Sequence, residues 1–202
     1  DQPRSRGLGD VYKRQYLNEK YDDLGVLWVD AHPDISNPEI YENEHAMVLA
    51  NLLGAGDPKL PGLVRKTLKP SQVRYEGMQG GVDVEQAELD RLGVSYAAAK
   101  ENELDAEGAI SWIRENGIKH IALHLDCDVM DPHDFYATYF NNPALGPILY
   151  NAATGHMKRA SVWDFIEKIS KETDLVGFTI AEYMPWSAMQ MRELMKRTKI
   201  FG

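Results

Sequence analysis

Short apolar runs alternate regularly with longer segments of helical period along this chain, and that alternation narrows the possible folds more than any other feature. Residues 25–29 (GVLWV) form a β-rich run, and residues 43–54 (NEHAMVLANLLG) place Met47, Leu49 or Ala50, and Leu53 at helical spacing before a glycine stop. Strand-like segments at 72–77, 93–98, 118–128 and 174–183 are separated by helix-like segments at 83–93, 105–117, 161–173 with Ser161 as its cap, and 187–199. Strands joined through helices of this length need right-handed crossovers, so the expectation is an α/β fold with a mostly parallel sheet covered on both faces. At 202 residues and 44% hydrophobic content, one sizeable core and a single domain over residues 16–202 are expected.

The first fifteen residues stand apart. Residues 5–15 (SRGLGDVYKRQ) show no apolar periodicity and match what one reading frame of a transposase-type sequencing adapter encodes. Residues 1–15 are therefore expected to be a non-native segment, of which residues 5–15 pack against nothing in the core.

Charge and cysteine content limit the functional classes. Lys and Arg total 22 against 31 Asp and Glu, a formal charge of −9, which argues against nucleic acid or a membrane surface as the main partner and favours small molecules. Cys127 is the only cysteine, so no internal disulfide forms and a reducing compartment is expected. No apolar run reaches membrane-spanning length and no secretory apolar region follows the N-terminus, so the expected location is cytoplasmic.

Ligands of open parallel sheets bind beyond the carboxyl ends of the strands, and three chemically loaded segments fall there. The run LWVDAHPDIS ends in Asp30, His32 and Asp34; HLDCDVMDP carries Asp126 and Asp128; AEYMP carries Glu182. On an extended strand Asp126 and Asp128 share a face about 7 Å apart, with His124 on the same side and Cys127 opposite. Taken singly, each segment has a bland reading as a capping loop, a turn or a surface acid. The five ligand-type side chains of the first two segments, four carboxylates and one imidazole, form an oxygen-rich set suited to Mn²⁺ or Mg²⁺, with more negative charge than one divalent ion neutralises. Two metal ions are expected. His120, His133 and His156 read as structural or surface residues.

These motifs resemble the arginase/agmatinase (ureohydrolase) family, which carries Asp-Ala-His-x-Asp and, later, Ser-x-Asp-x-Asp-x-x-Asp-Pro; the resemblance runs from about Tyr16 to the C-terminus. It implies the arginase/deacetylase-like three-layer α-β-α fold and a hydrolase acting on a linear guanidino or amidino compound. Asp30 and Asp126 would bridge two Mn²⁺ ions, His32 and Asp128 would complete one, and Asp34 would serve the other. A metal-bridging hydroxide would attack the substrate, Glu182 would grip its guanidinium, and His45 would shuttle protons or steer substrate. His124 reads as a supporting residue around the metals or as a satisfied core histidine. Trimers or hexamers are implied.

Several departures qualify the resemblance. The family's Gly-Gly-Asp-His-Ser motif, source of a further metal histidine, is absent, and residues 5–15 lie at its expected place. The fold is therefore expected to be incomplete at the N-terminus and the chain to be an impaired enzyme. The Gly-Thr-Gly-rich loop after the second motif is replaced by an aromatic, Asn-rich segment at 133–150. Ser36 and Met184 stand where arginases commonly carry Asn, so arginine itself is not implied as substrate. The alternatives are a single-zinc deacetylase-like amidohydrolase, which would want a His-His pair this chain lacks, and a non-catalytic metal-binding scaffold.

Overall fold

Leu24, Val26 and Trp28 point to one side of strand β1 (Leu24–Val29), and Leu27 and Val29 to the other, yet every residue of the strand is buried. A strand apolar on both faces must lie inside a sheet that is covered twice. The computed structural model describes residues 4–58, 64–79, 83–98, 103–136, 144 and 155–198, and among them the sheet has that form. Strands β2 (Val73–Met78), β3 (Ser95–Ala98), β4 (His120–Asp126) and β5 (Asp174–Ala181) join β1 in the order β3-β2-β1-β4-β5, all neighbours parallel. β1 is central.

Helices fill the two faces. α1 (Arg4–Lys20), α2 (Val48–Leu52) and α3 (Asp83–Leu92) cover one, where Val11, Leu49, Leu52 and Leu89 pack with Val26, Trp28, Val73 and Tyr75. On the other face lie α4 (Ala106–Glu115), α5 (Arg159–Glu172) and α6 (Ala188–Arg197), with Trp112, Ile113, Trp163, Ile166 and Leu194 against Leu27, Ile121, Leu123 and Leu125. The expected three-layer α-β-α architecture is present. Among the described residues, no helix is long and apolar enough to cross a membrane.

Four local expectations are corrected. Residues 5–15 do not stand apart: they lie in α1, where Val11 is 1% exposed and Asp10, Arg14 and Gln15 are buried. Leu17 of the same helix sits so close to Gly177 of β5 that a Cβ there would lie 2.6 Å from its Cδ1. Hydrophobic periodicity missed this helix because its buried face is largely polar. Second, the segment 43–54 is a 3₁₀ turn (Glu44–Met47) followed by the short α2, because its early amides are drawn to the preceding loop: Leu49 N–H donates to the Asp34 carbonyl at 2.9 Å. Third, β4 stops at Asp126, and Asp128 lies in a 3₁₀ turn (Cys127–Val129) that the Asp126 carboxylate caps by accepting from Asp128 N–H at 2.9 Å. Fourth, Ser161 does not cap α5. That helix starts at Arg159, whose N–H donates to Asp134 Oδ2 at 2.7 Å.

Gly77 shows why β2 ends as it does. It adopts φ +96°, and a Cβ would lie 2.7 Å from Val129 Cγ2 and 3.1 Å from the Asp30 carbonyl, so only glycine lets β2 approach the motif loops this closely.

If α1 docks as described, Val11→Asp buries an unpaired carboxylate and should cost about 3 kcal/mol of stability. Urea denaturation of the two proteins measures this directly, and an unchanged midpoint would mean that α1 is not docked.

Candidate metal centre

Pairing of β1 with β4 aligns Trp28 with His124 and Val29 with Leu125, so the next residues, Asp30 and Asp126, leave the sheet side by side. Both are almost fully buried. The Asp30 backbone is fixed from β2: its N–H donates to the Glu76 carbonyl at 3.1 Å, and its own carbonyl accepts from the Tyr75 hydroxyl at 2.7 Å. Its carboxylate accepts from Trp28 Nε1 at 3.1 Å and from His32 N–H at 2.8 Å. The chain then turns sharply. Asp34 adopts φ +49°, a left-handed conformation costing about 1 to 3 kcal/mol, and α2 holds it there through the Asp34 carbonyl.

The second motif meets the first across this gap. Asp128 Oδ2 lies 2.9 Å from His32 Nδ1, and its Oδ1 accepts from Ala31 N–H at 3.3 Å. Glu182, one residue beyond β5, is the other non-glycine residue with positive φ among the described residues, at +52°. Candidate ligand atoms come within 4.8 Å of one another in three groups: Asp30, Asp34 and His124; Asp30, His32 and Asp128; Asp126, Asp128 and Glu182. All the predicted metal-binding residues and Glu182 thus converge at the strand ends. His45 lies on the 3₁₀ turn after the first motif, exposed, edge-on to Tyr41.

The electrostatics are those of a site built for cations. Burial, reinforced chiefly by the charge of Asp128, pushes the Asp30, Asp34 and Asp126 carboxyls well above their ordinary range. Burial opposes charge on His32, but its contact with Asp128 and the charges of Asp128 and Asp34 prevail and raise it to about 9. His124 goes the other way: burial, aided by the charge of Arg14, lowers it to about 4. His45 is lowered by burial and by the charge of His32. Acids that hold protons against their nature, around imidazoles of both kinds, fit divalent ions that would replace those protons.

Other expectations meet the structure less directly. Ser36 is buried and its hydroxyl donates to Glu85 Oε1 at 2.8 Å, so it serves the motif loop rather than facing the centre. Met184 precedes the 3₁₀ turn Pro185–Ser187. Most of the segment 133–150 lies outside the described residues. His120 stacks on Tyr21 and contacts Asp23, as a structural histidine would. Sequence reasoning missed Tyr75, Glu85 and Asp10, which reach the centre only through the fold. Trp28, in contrast, was open to discovery, because it sits two residues before Asp30 on the same strand face.

A parallel α/β sheet with carboxylates and imidazoles gathered at its carboxyl ends defines the class as an α/β protein with a candidate metal centre. The arginase-family model matches residues 11–191, and the chain belongs to that family. It is 30% identical to an arginase of Entamoeba histolytica over 184 residues, 86% of this chain and 62% of the relative, and 28% identical to an arginase of Staphylococcus aureus over 134 residues, 57% of this chain and 41% of the relative. The chain thus spans well under the full length of these curated relatives. Among solved structures, Bacillus caldovelox arginase superposes with a TM-score of 0.79 at 22% identity, covering 97% of this chain and 66% of that one. Entamoeba histolytica arginase in complex with L-ornithine gives 0.73 at 22%, covering 93% and 64%. Formimidoylglutamase from Bacillus subtilis gives 0.66 at 12%, covering 94% and 58%. At these identities the structural likenesses establish the fold.

In the metal-free protein, Asp30, Asp34, Asp126 and His32 all hold protons to higher pH when folded than when unfolded. Each therefore stabilises the fold at low pH, and that stability is lost as pH rises through the folded value. His124 acts oppositely, losing its contribution as pH falls from the ordinary histidine range through about 4, and so adds no slope above neutrality. Between about pH 7 and about pH 9 the melting temperature of chelator-treated protein is expected to fall, with His32 titrating at about 9. Thermal melts across that range check the sign, and a rising curve would contradict it.

Proposed function

We propose that this chain holds two divalent ions, Mn²⁺ by the character of the ligands, and hydrolyses a C–N bond of a linear guanidino or amidino compound. The observation that carries this reading is the overlap of the three ligand groups: Asp30 belongs to two of them, and Asp128 to two. Donors shared between neighbouring groups suit adjacent ions, and a set dominated by carboxylates suits Mn²⁺ better than a closed zinc site. Asp30, Asp34, Asp126, Asp128 and His32 would hold the ions. When bound, the ions supply a hydroxide at neutral pH, which the resonance-stabilised guanidinium carbon needs because water is a poor nucleophile.

The chain's own groups supply the rest. Glu182, at the rim beside Asp126 and Asp128, pairs with the planar cation and presents its carbon to the centre. The leaving amine needs a proton, and His45, whose pKa burial lowers, relays one between solvent and substrate. Ser36 is occupied by Glu85 and Met184 has no polar group, so neither is available to grip an α-amino-acid end. This favours a guanidino compound other than arginine.

Elemental analysis of Mn²⁺-loaded protein, followed by assays of urea or formamide release from arginine, agmatine, guanidinobutyrate and formiminoglutamate, tests the reading. A single tightly held zinc ion would overturn it. Asp126→Asn is expected to lower turnover at least 100-fold, on the order of the loss seen when metal-site groups are altered, with the fold retained by circular dichroism. Glu182→Gln should raise KM about tenfold or more while leaving metal content unchanged, since it removes the anionic partner of the guanidinium. Parallel loss of metal and substrate binding would place Glu182 among the metal ligands instead.

A further inference from the structure

His124 is 2% exposed; its Nδ1 pairs with Asp10, while its Nε2 makes no hydrogen bond. A buried ring nitrogen left without a partner calls for a physical explanation. Its ring lies flat against Trp28, centroids 3.8 Å apart and planes 12° apart, so the orientation is held by packing across the β1–β4 pair. In that orientation Nδ1 faces Asp10, 3.1 Å from Oδ2, and Nε2 faces Asp30, 3.6 Å from Oδ2. The second distance is too long for a hydrogen bond. It is close to the separation of two donors that share one ion, since bonds of about 2.1 Å place neighbouring ligands about 3.0 to 3.5 Å apart.

Resting on the reading above, we propose that His124 Nε2 is a direct ligand of the ion held by Asp30 and Asp34. It supplies the nitrogen donor that this ion otherwise lacks among the described residues, because His32 faces Asp128 on the neighbouring group. Where the family motif quoted above carries Ser, this chain carries His124, which exchanges a weak hydroxyl donor for an imidazole. Asp10 completes the arrangement. A carboxylate beside Nδ1 places the ring proton there and leaves the Nε2 lone pair toward the metal, the usual way in which an outer carboxylate orients a metal-binding histidine. Arg14 stands behind Asp10 at 3.5 Å and lies over the Trp28 ring at 4.7 Å, so α1 buttresses both the histidine and the tryptophan on which it stacks.

The test is metal binding rather than turnover. Mn²⁺ titration of the 202-residue chain, followed by electron paramagnetic resonance, is expected to show two ions in magnetic contact. In His124→Ser, with the residue of the family motif restored, the second ion should bind roughly 10 to 100-fold more weakly. The coupled spectrum should give way to that of an isolated ion, while metal-free circular dichroism stays unchanged. A variant that keeps both ions at the original affinities would overturn the proposal. Should His124→Ser fail to fold, pulsed resonance on the unaltered protein, grown with ¹⁵N-histidine, decides the matter: two directly bound histidine nitrogens per chain support it and one overturns it. A chain that takes up no Mn²⁺ at all would instead overturn the two-ion reading on which the proposal rests.

Discussion

The parallel pairing of β1 with β4 is the constraint on which the centre depends. Its register sets Trp28 beside His124 and Val29 beside Leu125, which makes Asp30 and Asp126 neighbours at the edge of the sheet. A slip of one residue would turn every side chain of one strand to the opposite face, carrying its aspartate into the wrong helix layer. The apolar residues upstream prevent that slip. Val26 and Trp28 are buried in one layer and Leu27 and Val29 in the other, so both faces of β1 enforce the same alignment.

Holding acids together at that edge opposes folding, and the structure counters the opposition locally. Backbone amides of Ala31, His32 and Asp128 point at the carboxylates, Trp28 donates through its indole, and β2 clamps Asp30 from the side. Asp34 and Glu182 both sit in left-handed backbone conformations that cost energy and are retained where the surrounding loops leave no alternative. Strain and repulsion in one place are the mark of a site shaped by what it binds rather than by stability.

Family membership and fold together locate the centre, while chemistry at the level of single residues sets what it can do. Shared carboxylates lend themselves to paired ions, and the packing of Trp28 on His124 holds an imidazole with Nε2 toward Asp30. The outer helix α1 reaches this centre through polar contacts, Asp10 to His124 and Arg14 over Trp28. A helix whose buried face is polar leaves no hydrophobic period in the sequence, which is why residues 5–15 read as a detached segment although Asp10, Val11, Arg14 and Gln15 are buried.

By itself, the sequence determined the layered α/β architecture, through apolar runs too short for anything but strands, and where the candidate metal centre lies, through Asp30, Asp126 and Glu182 standing where those runs end. Local periodicity carries such information because it is set by which faces of a strand or helix must leave water. Tertiary structure alone decided that Asp128 meets Ala31 and His32, that Ser36 is engaged by Glu85, and that Nε2 of His124 aims at Asp30. Those outcomes depend on contacts between residues 49 to 97 positions apart, or on a ring held between two strands, and no local pattern encodes which distant partner a side chain will meet.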